Sequence, residues 1–192
     1  MKIAVLVSGN GSNLQALLDS EVRPHVSLVI SNRGGVKALE RARKAECNTR
    51  VILRSEYADR ESFDQALAEY LREQGIELVV LAGWMHILGD RYLATAPRTI
   101  NLHPALPGCY PGLNAIQRAW KDGIEKSGCM VHEVIKEVDA GAVLGVEEVA
   151  LSSCETLEEF ESLMHRAEHR LLVRTVAEIV RVEDPSPLGL NR

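Results

Sequence analysis

The sequence predicts an α/β fold: a parallel sheet through the first half, continued by a mixed second half, with helices on both faces. Three observations carry that expectation. Short apolar runs rich in β-branched residues alternate with segments of helical spacing through the first eighty or so residues. The first run, Ile3–Val7, is apolar throughout, as a strand covered on both faces must be. Beyond His103 the rhythm gives way to a Pro/Gly-rich stretch and two consecutive strand-like runs, which a purely parallel sheet would not contain.

The elements follow in order. After the strand at Ile3–Val7, a helix opens at 13–18, behind the glycines of Ser8-Gly9-Asn10-Gly11-Ser12-Asn13. Val26–Ser31 reads as a second strand, 36–45 as a second helix and 49–53 as a short third strand. Phe63, Leu67, Tyr70 and Leu71 recur at helical spacing, and Gln74-Gly75 closes that helix. Leu78–Leu81 is a fourth strand. Helical crossovers between parallel strands are right-handed, which places helices on both faces of the sheet. In the second half, 99–102 is short and apolar, and the prolines and glycines of 103–112 exclude a helix there. Residues 114–121 read as a helix. Strands at 129–138 and 142–149 flank Asp139-Ala140-Gly141, an expected tight turn. Over 155–182, Leu157, Phe160, Leu163, Ala167, Leu171, Val176 and Ile179 share the inner side of a long amphipathic helix. Asp184-Pro185-Ser186-Pro187 is expected to stop it, leaving 184–192 as a loose tail. The sequence holds no internal repeat and no low-complexity segment, so one domain over 1–192 is expected.

Composition narrows the function. Of 192 residues, 46% are hydrophobic, enough for a core and too many for a disordered chain. A net charge of −5 gives no broad cationic face, which argues against a nucleic-acid partner. A small phosphorylated metabolite needs only a local cluster of donors. Cys47, Cys109, Cys129 and Cys154 form no CxxC pair and read as buried, reduced thiols of a cytoplasmic protein. The apolar run at the start is too short for a signal peptide, and no membrane span is expected.

Two constellations carry chemistry. Gly9-Asn10-Gly11-Ser12-Asn13 joins a strand to a helix, where glycines let an anion approach and free backbone N–H groups can bind it. It is neither GxGxxG nor a Walker A loop, and the second strand ends in Ser31-Asn32-Arg33 rather than an acidic ribose reader. The plainer reading is a tight turn with a capping residue. Further on, Asn101 and His103 stand two apart at a strand end and so share a face, with Asp139 at a later turn. An amide can donate to an oxyanion, an imidazole can carry charge or a proton, and a carboxylate can tune the imidazole. Each residue alone also fits an ordinary role in a turn or core. His165-Arg166-Ala167-Glu168-His169 spells HxxEH, a zinc motif, but that motif needs a further acidic ligand well downstream, and no metal is expected. His132 reads better as a satisfied core or edge histidine than as a supporting group of the site.

Taken together, KIAVLVSGNGSNLQAL, LERAR, LVVLAGWMHIL, INLHPALPGCYPG, GCMVHEVIKEVDAG and the late AEH resemble the folate-dependent phosphoribosylglycinamide formyltransferases, from residue 1 to about Arg170. The combination of SGNGSN, NxHP and VDAG is specific where each alone is not. The resemblance implies the formyltransferase fold, a Rossmann-like N-terminal parallel sheet continued by a mixed C-terminal part. It implies a phosphate-binding half over 1–100 and a catalytic and folate-binding half over 101–183. It implies transfer of a formyl group from 10-formyltetrahydrofolate to the amine of glycinamide ribonucleotide in purine synthesis, by a monomer or weak homodimer. By resemblance, Gly11, Ser12 and Asn13 hold the substrate phosphate and Glu168 contacts the same substrate. Asn101 donates to the forming oxyanion. His103 enters protonated, its pKa raised by Asp139, which also organises the proton relay. Met85, His86, Ile87, Leu88, Ile135 and Val138 wall the folate, and Arg60 lies near its tail.

Two departures stand out. The loop reads HPALPG where HPSLLP is usual, and His86 stands where Arg is common. Related families fit less well. Formyltetrahydrofolate hydrolases carry an added N-terminal domain and a His where Pro104 stands. Methionyl-tRNA formyltransferases carry a C-terminal tRNA-binding domain and a basic surface. A regulator that kept the fold and lost catalysis would not be expected to retain Asn101, His103 and Asp139.

Overall fold

β1 (Ile3–Val7) is wholly buried because it lies mid-sheet with helices on both sides, and its alternate residues feed two separate cores. Ile3, Val5 and Val7 face one and Ala4 and Leu6 the other. Burying side chains of this size stabilises the fold by about 1.5–3 kcal/mol each for the larger ones. Residues 1–151 and 154–183 are described in this computed structural model; the expected helix stop and tail over 184–192 lie outside them.

The chain continues through α1 (Ser12–Leu18), β2 (Val26–Ser31), α2 (Lys37–Lys44), β3 (Asn48–Val51), α3 (Arg60–Glu73), β4 (Leu78–Leu81), α4 (Asp90–Leu93) and β5 (Arg98–His103). Then follow α5 (Ala115–Lys121), β6 (Lys126–Glu133), β7 (Val143–Ala150) and α6 (Leu157–Glu183). The sheet order is β3-β2-β1-β4-β5-β6-β7. Pairing is parallel from β3 to β5 and antiparallel from β5 to β7. This is the mixed α/β sheet expected. One core joins Leu14 and Leu17 of α1 to Leu171, Leu172 and Val176 of α6. The other packs Phe63, Leu67 and Leu71 of α3 beneath Leu6, Ile30 and Val79.

Three expectations need correction. The strand read as 129–138 runs instead from Lys126 to Glu133. Val134 N–H still bonds the Thr99 carbonyl at 2.8 Å, after which the chain leaves the sheet. Ile135 and Val138, apolar enough to pass for strand residues, are each 42% exposed on a cleft wall. The tight turn at 139–141 is thus the end of a longer loop. The short helix α4 was not legible in the sequence. The cysteines are not uniformly buried: Cys47 and Cys129 are, Cys109 is exposed and Cys154 lies between.

Connections reverse direction between β1 and β4, and such switch points open a crevice at the carboxyl ends of the strands. Ser8, at the end of β1, fastens that crevice. Its N–H donates to the Gly83 carbonyl (3.0 Å), its hydroxyl donates to Asn32 Oδ1 (2.7 Å), and it accepts from Met85 N–H (2.8 Å).

Candidate active site

Asp139 is the hub of the site. It adopts a left-handed conformation (φ 54°), uncommon for a residue with a side chain and a form of strain that clusters at functional sites. The turn is set by Gly141, where a Cβ would lie 1.8 Å from the Glu133 carbonyl oxygen. Only glycine lets the loop close back on β6. Asp139 Oδ1 accepts from Asn101 Nδ2 at 3.2 Å and lies 3.4 Å from His132 Nε2. Oδ2 accepts from the Gly112 N–H at 2.8 Å and lies 3.2 Å from His103 Nδ1. Burial raises the carboxyl, but hydrogen bonds from His132 and Gly112 and the charges of the two histidines outweigh it, holding Asp139 below the ordinary carboxyl value.

β5 supplies Asn101 and His103 from one face, as their two-residue spacing requires. Antiparallel register sets Asn101 opposite His132 on β6, and a register shift at Val131/His132 marks a bulge beside that histidine. His132 Nδ1 donates to the Glu133 carbonyl at 2.8 Å, while Nε2 lies 3.2 Å from Asn101 Nδ2. It therefore belongs to the site rather than to the core alone.

His103 is buried. Its Nε2 bonds the Tyr110 carbonyl at 3.1 Å and its Nδ1 faces Asp139. Both neighbours are acceptors, which favours the protonated ring. Burial is the larger influence and takes the pKa below the ordinary 6.5, with Asp139 and the carbonyl opposing it. Burial thus works against the protonated ring that the two acceptors favour. Asp139 does push the pKa upward, but desolvation wins.

The variant loop over 104–113 is anchored from α5. Arg118 donates to the carbonyls of Tyr110 and Pro111, both at 2.7 Å, and its guanidinium lies 5.6 Å from the Tyr110 ring centre. Tyr110 Oη donates to Asp122 at 3.0 Å. Tyr110 and Asn114 take left-handed φ values of 44° and 57°. Every described peptide bond is trans, Leu106–Pro107 included.

Asn101, His103 and Asp139 line a cleft of about 690 Å³, within the usual range for a small-molecule site. One wall is Met85, His86, Ile87 and Leu88, and the other includes Ile135 and Val138. Met85 and Ile87 are more than half exposed, an apolar surface that a ligand would cover. Arg60 lines the same cleft. Asn13 and Glu168 line it too, with Asn13 Nδ2 donating to Glu168 Oε2 at 3.3 Å. Asn13 Oδ1 is buried without a partner. Gly11 and Ser12 are not part of the cleft wall but stand next to it at the start of α1. Gly11 takes φ 75°, and a Cβ there would lie 2.6 Å from Ala38 Cβ. Within HxxEH, His165 Nδ1 pairs with Glu168 at 3.0 Å, and no three His, Cys, Asp or Glu side chains gather as metal ligands among the described residues.

The family profile described as formyl transferase matches residues 1–176. The chain belongs to the formyl transferase family. It is thus a group-transfer enzyme. Phosphoribosylglycinamide formyltransferase of Dictyostelium discoideum is 42% identical over 91% of this chain and 95% of that protein. The phosphoribosylglycinamide formyltransferase structure from Streptococcus pneumoniae TIGR4 superposes with a TM-score of 0.88 at 36% identity, covering 93% of this chain and 98% of that one. Its counterpart from Bacillus halodurans gives 0.90 at 28% identity over 98% and 100% of the two chains.

The sequence reading left three contributors unnamed: the Gly112 amide, the Tyr110 carbonyl and Asp64, which pairs with His86 of the cleft wall. The first two are backbone groups, which a sequence cannot flag. Asp64 had a signal, an acid among the apolar stripe of α3 between Phe63 and Leu67.

Proposed function

We propose that the protein transfers the formyl group of 10-formyltetrahydrofolate to the amine of 5-phosphoribosylglycinamide, giving 5-phosphoribosyl-N-formylglycinamide and tetrahydrofolate in de novo purine (IMP) synthesis. The observation that carries this reading is Asp139 held by the Asn101 amide and the Gly112 N–H within 3.4 Å of His103 and His132, in an apolar-walled cleft. A carboxylate held ionised there can organise a proton relay without being consumed.

Asn101 has two amide hydrogens. One is directed to Asp139 and the other to His132 Nε2, and the second contact is the one exchanged for the formyl oxygen as attack by the amine turns it into an oxyanion. One such donor contributes about 3–4 kcal/mol to the transition state. A developing oxyanion adds negative charge beside the His103 ring and raises its pKa, which favours the imidazolium; a proton the ring takes from solvent as the tetrahedral carbon forms returns to solvent as the folate nitrogen leaves. The new C–N bond leaves a proton on the attacking nitrogen. Asp139 orients the water that moves it to the departing folate nitrogen, whose bond to carbon then breaks. The first-turn amides of α1, from Gly11 to Asn13, bind the substrate phosphate, and Glu168 fixes the adjoining part of the same substrate. Met85, His86, Ile87, Leu88, Ile135 and Val138 receive the folate, with Arg60 toward its tail. The cleft's size and apolar walls suit such a donor.

No step requires a metal from the residues named. The same reading makes the chain a single domain, monomeric or weakly dimeric, working in the cytoplasm; no described helix is long and apolar enough to cross a membrane.

The test is a transfer assay with purified protein, 10-formyltetrahydrofolate and glycinamide ribonucleotide, beside a control lacking the acceptor. Release of tetrahydrofolate only with acceptor is expected. Equal release without it would replace transfer by hydrolysis.

A further inference from the structure

Asp64 takes no part in the chemistry above, yet it is a carboxylate only 1% exposed on the buried face of α3. Its Oδ1 lies 2.8 Å from His86 Nε2, and its Oδ2 accepts the Gly89 N–H at 2.8 Å. Arg60 Nε lies 3.6 Å from the same Oδ2. The His86 ring meets Phe63 edge-on, 4.9 Å between centres. Both ends of the 86–89 segment are thus tied to one buried charge, and between them lie Ile87 and Leu88 of the cleft wall.

We propose that Asp64 is a positioning residue for the formyl donor: from α3 it fixes the 86–89 segment, and with it one wall of the donor cleft, without touching the reacting atoms. The proposal rests on the donor reading of that cleft. Three features support it. A buried carboxylate is strongly destabilising unless donors satisfy it, so the segment is held wherever those donors must sit. The donors are one backbone amide and one side chain from the segment itself, so the bonds constrain its path and not merely its composition. Gly89 records how close the approach is. Its φ of −98° suits any residue, but a Cβ would lie 2.9 Å from Asp64 Oδ2 and 3.3 Å from Arg60. Glycine is there for contact with the carboxylate, not for backbone freedom. The tie also gives a role to His86 in place of the usual Arg: a planar donor that reaches inward to Asp64 rather than out toward the folate tail.

The test pairs ligand-free hydrogen exchange with steady-state kinetics. Asp64→Asn is expected to speed amide exchange over 84–89 while leaving 99–103 unchanged. It is also expected to raise the KM for 10-formyltetrahydrofolate about tenfold, with kcat and the KM for glycinamide ribonucleotide within about twofold. His86→Phe, which keeps a ring against Phe63, should act in the same direction. Combined with Asp64→Asn it should add little, because both remove one tie. Gly89→Ala reaches the same carboxylate from the loop side and serves if Asp64→Asn fails to fold. Unchanged exchange over 84–89 in Asp64→Asn or Gly89→Ala would overturn the proposal. So would exchange that quickens across the whole protein with both KM values rising alike, since that marks a merely structural acid. Because exchange is measured without substrate, it decides the role of Asp64 even if the wild-type protein transfers no formyl group.

Discussion

At Asp139 four potential donors meet one carboxylate, and the chemistry follows from what each oxygen holds. Asp139→Asn keeps the shape but replaces one acceptor by an NH2 group, which must then face a donor, and it removes the charge that opposes burial at His103. We expect kcat to fall about 100- to 1,000-fold, with both KM values within a few-fold, since the lost work lies in proton handling rather than binding. Steady-state kinetics on the folded variant checks this, and unchanged kcat would sink the proposed relay. At this scale residue type and spacing raised Asn101, His103 and Asp139 as candidates beside ordinary roles and the resemblance singled them out; the structure brings the three together. The downward pull of burial on His103 was not legible, because desolvation is set only by packing. His132 was undervalued for the same reason. Its pairing with Asn101 comes from antiparallel register across a bulge, and nothing local in the sequence announces it.

Elements buried on both faces were read well: β1, β2 and β4 agree with the apolar runs because a central strand is apolar at nearly every position, and the two serines of β2 are satisfied by backbone carbonyls. The failure came where apolar residues line a cleft instead of a core. The run through Val138 reads as a strand, yet the sheet ends at Glu133 and the remainder bends away to wall the cleft. That departure depends on Gly141, which lets the returning chain lie against Glu133. The Glu133 N–H donates to the Ala142 carbonyl at 2.9 Å, a bond that a methyl group at 141 would displace. Gly141→Ala should therefore cost about 2–3 kcal/mol of stability, as overpacking against backbone does, and should shift Asp139 out of line. Urea unfolding measures the first effect. The second appears as a fall in kcat at a temperature where the variant remains folded. Full activity in a destabilised variant would show that the turn serves stability alone.

Across the whole molecule the two halves share one sheet, and one of its two cores draws on both halves. β4 pairs with β5 across the boundary, and Asn13 of the first helix bonds Glu168 of the last. Trp84 reports on the core beneath α3, and Trp120 stacks on Phe160 at the other core. Single-tryptophan variants should therefore unfold in urea with one shared midpoint, and separate midpoints would divide the domain. The pH dependence of that midpoint follows from the buried histidines. Burial lowers the pKa of His103 and of His169 below the ordinary 6.5. The unfolded chain then binds protons that the folded one refuses, so stability declines as pH falls through about 6.5 toward the depressed folded values. His165 works in the opposite sense. Its bond to Glu168 raises its pKa, giving stability that is full below 6.5 and lost as pH rises through the folded value, but its side chain is 50% exposed and solvent weakens the pairing. Asp139, held below the ordinary 3.8, loses its contribution only at much lower pH. The buried His103 and the half-buried His169 together outweigh the exposed His165, so the urea midpoint should be lower at pH 5.5 than at pH 7.5. A midpoint that rises on acidification would mean that the Asp139 and Tyr110 acceptors, not burial, govern His103, and that the ring enters catalysis already charged.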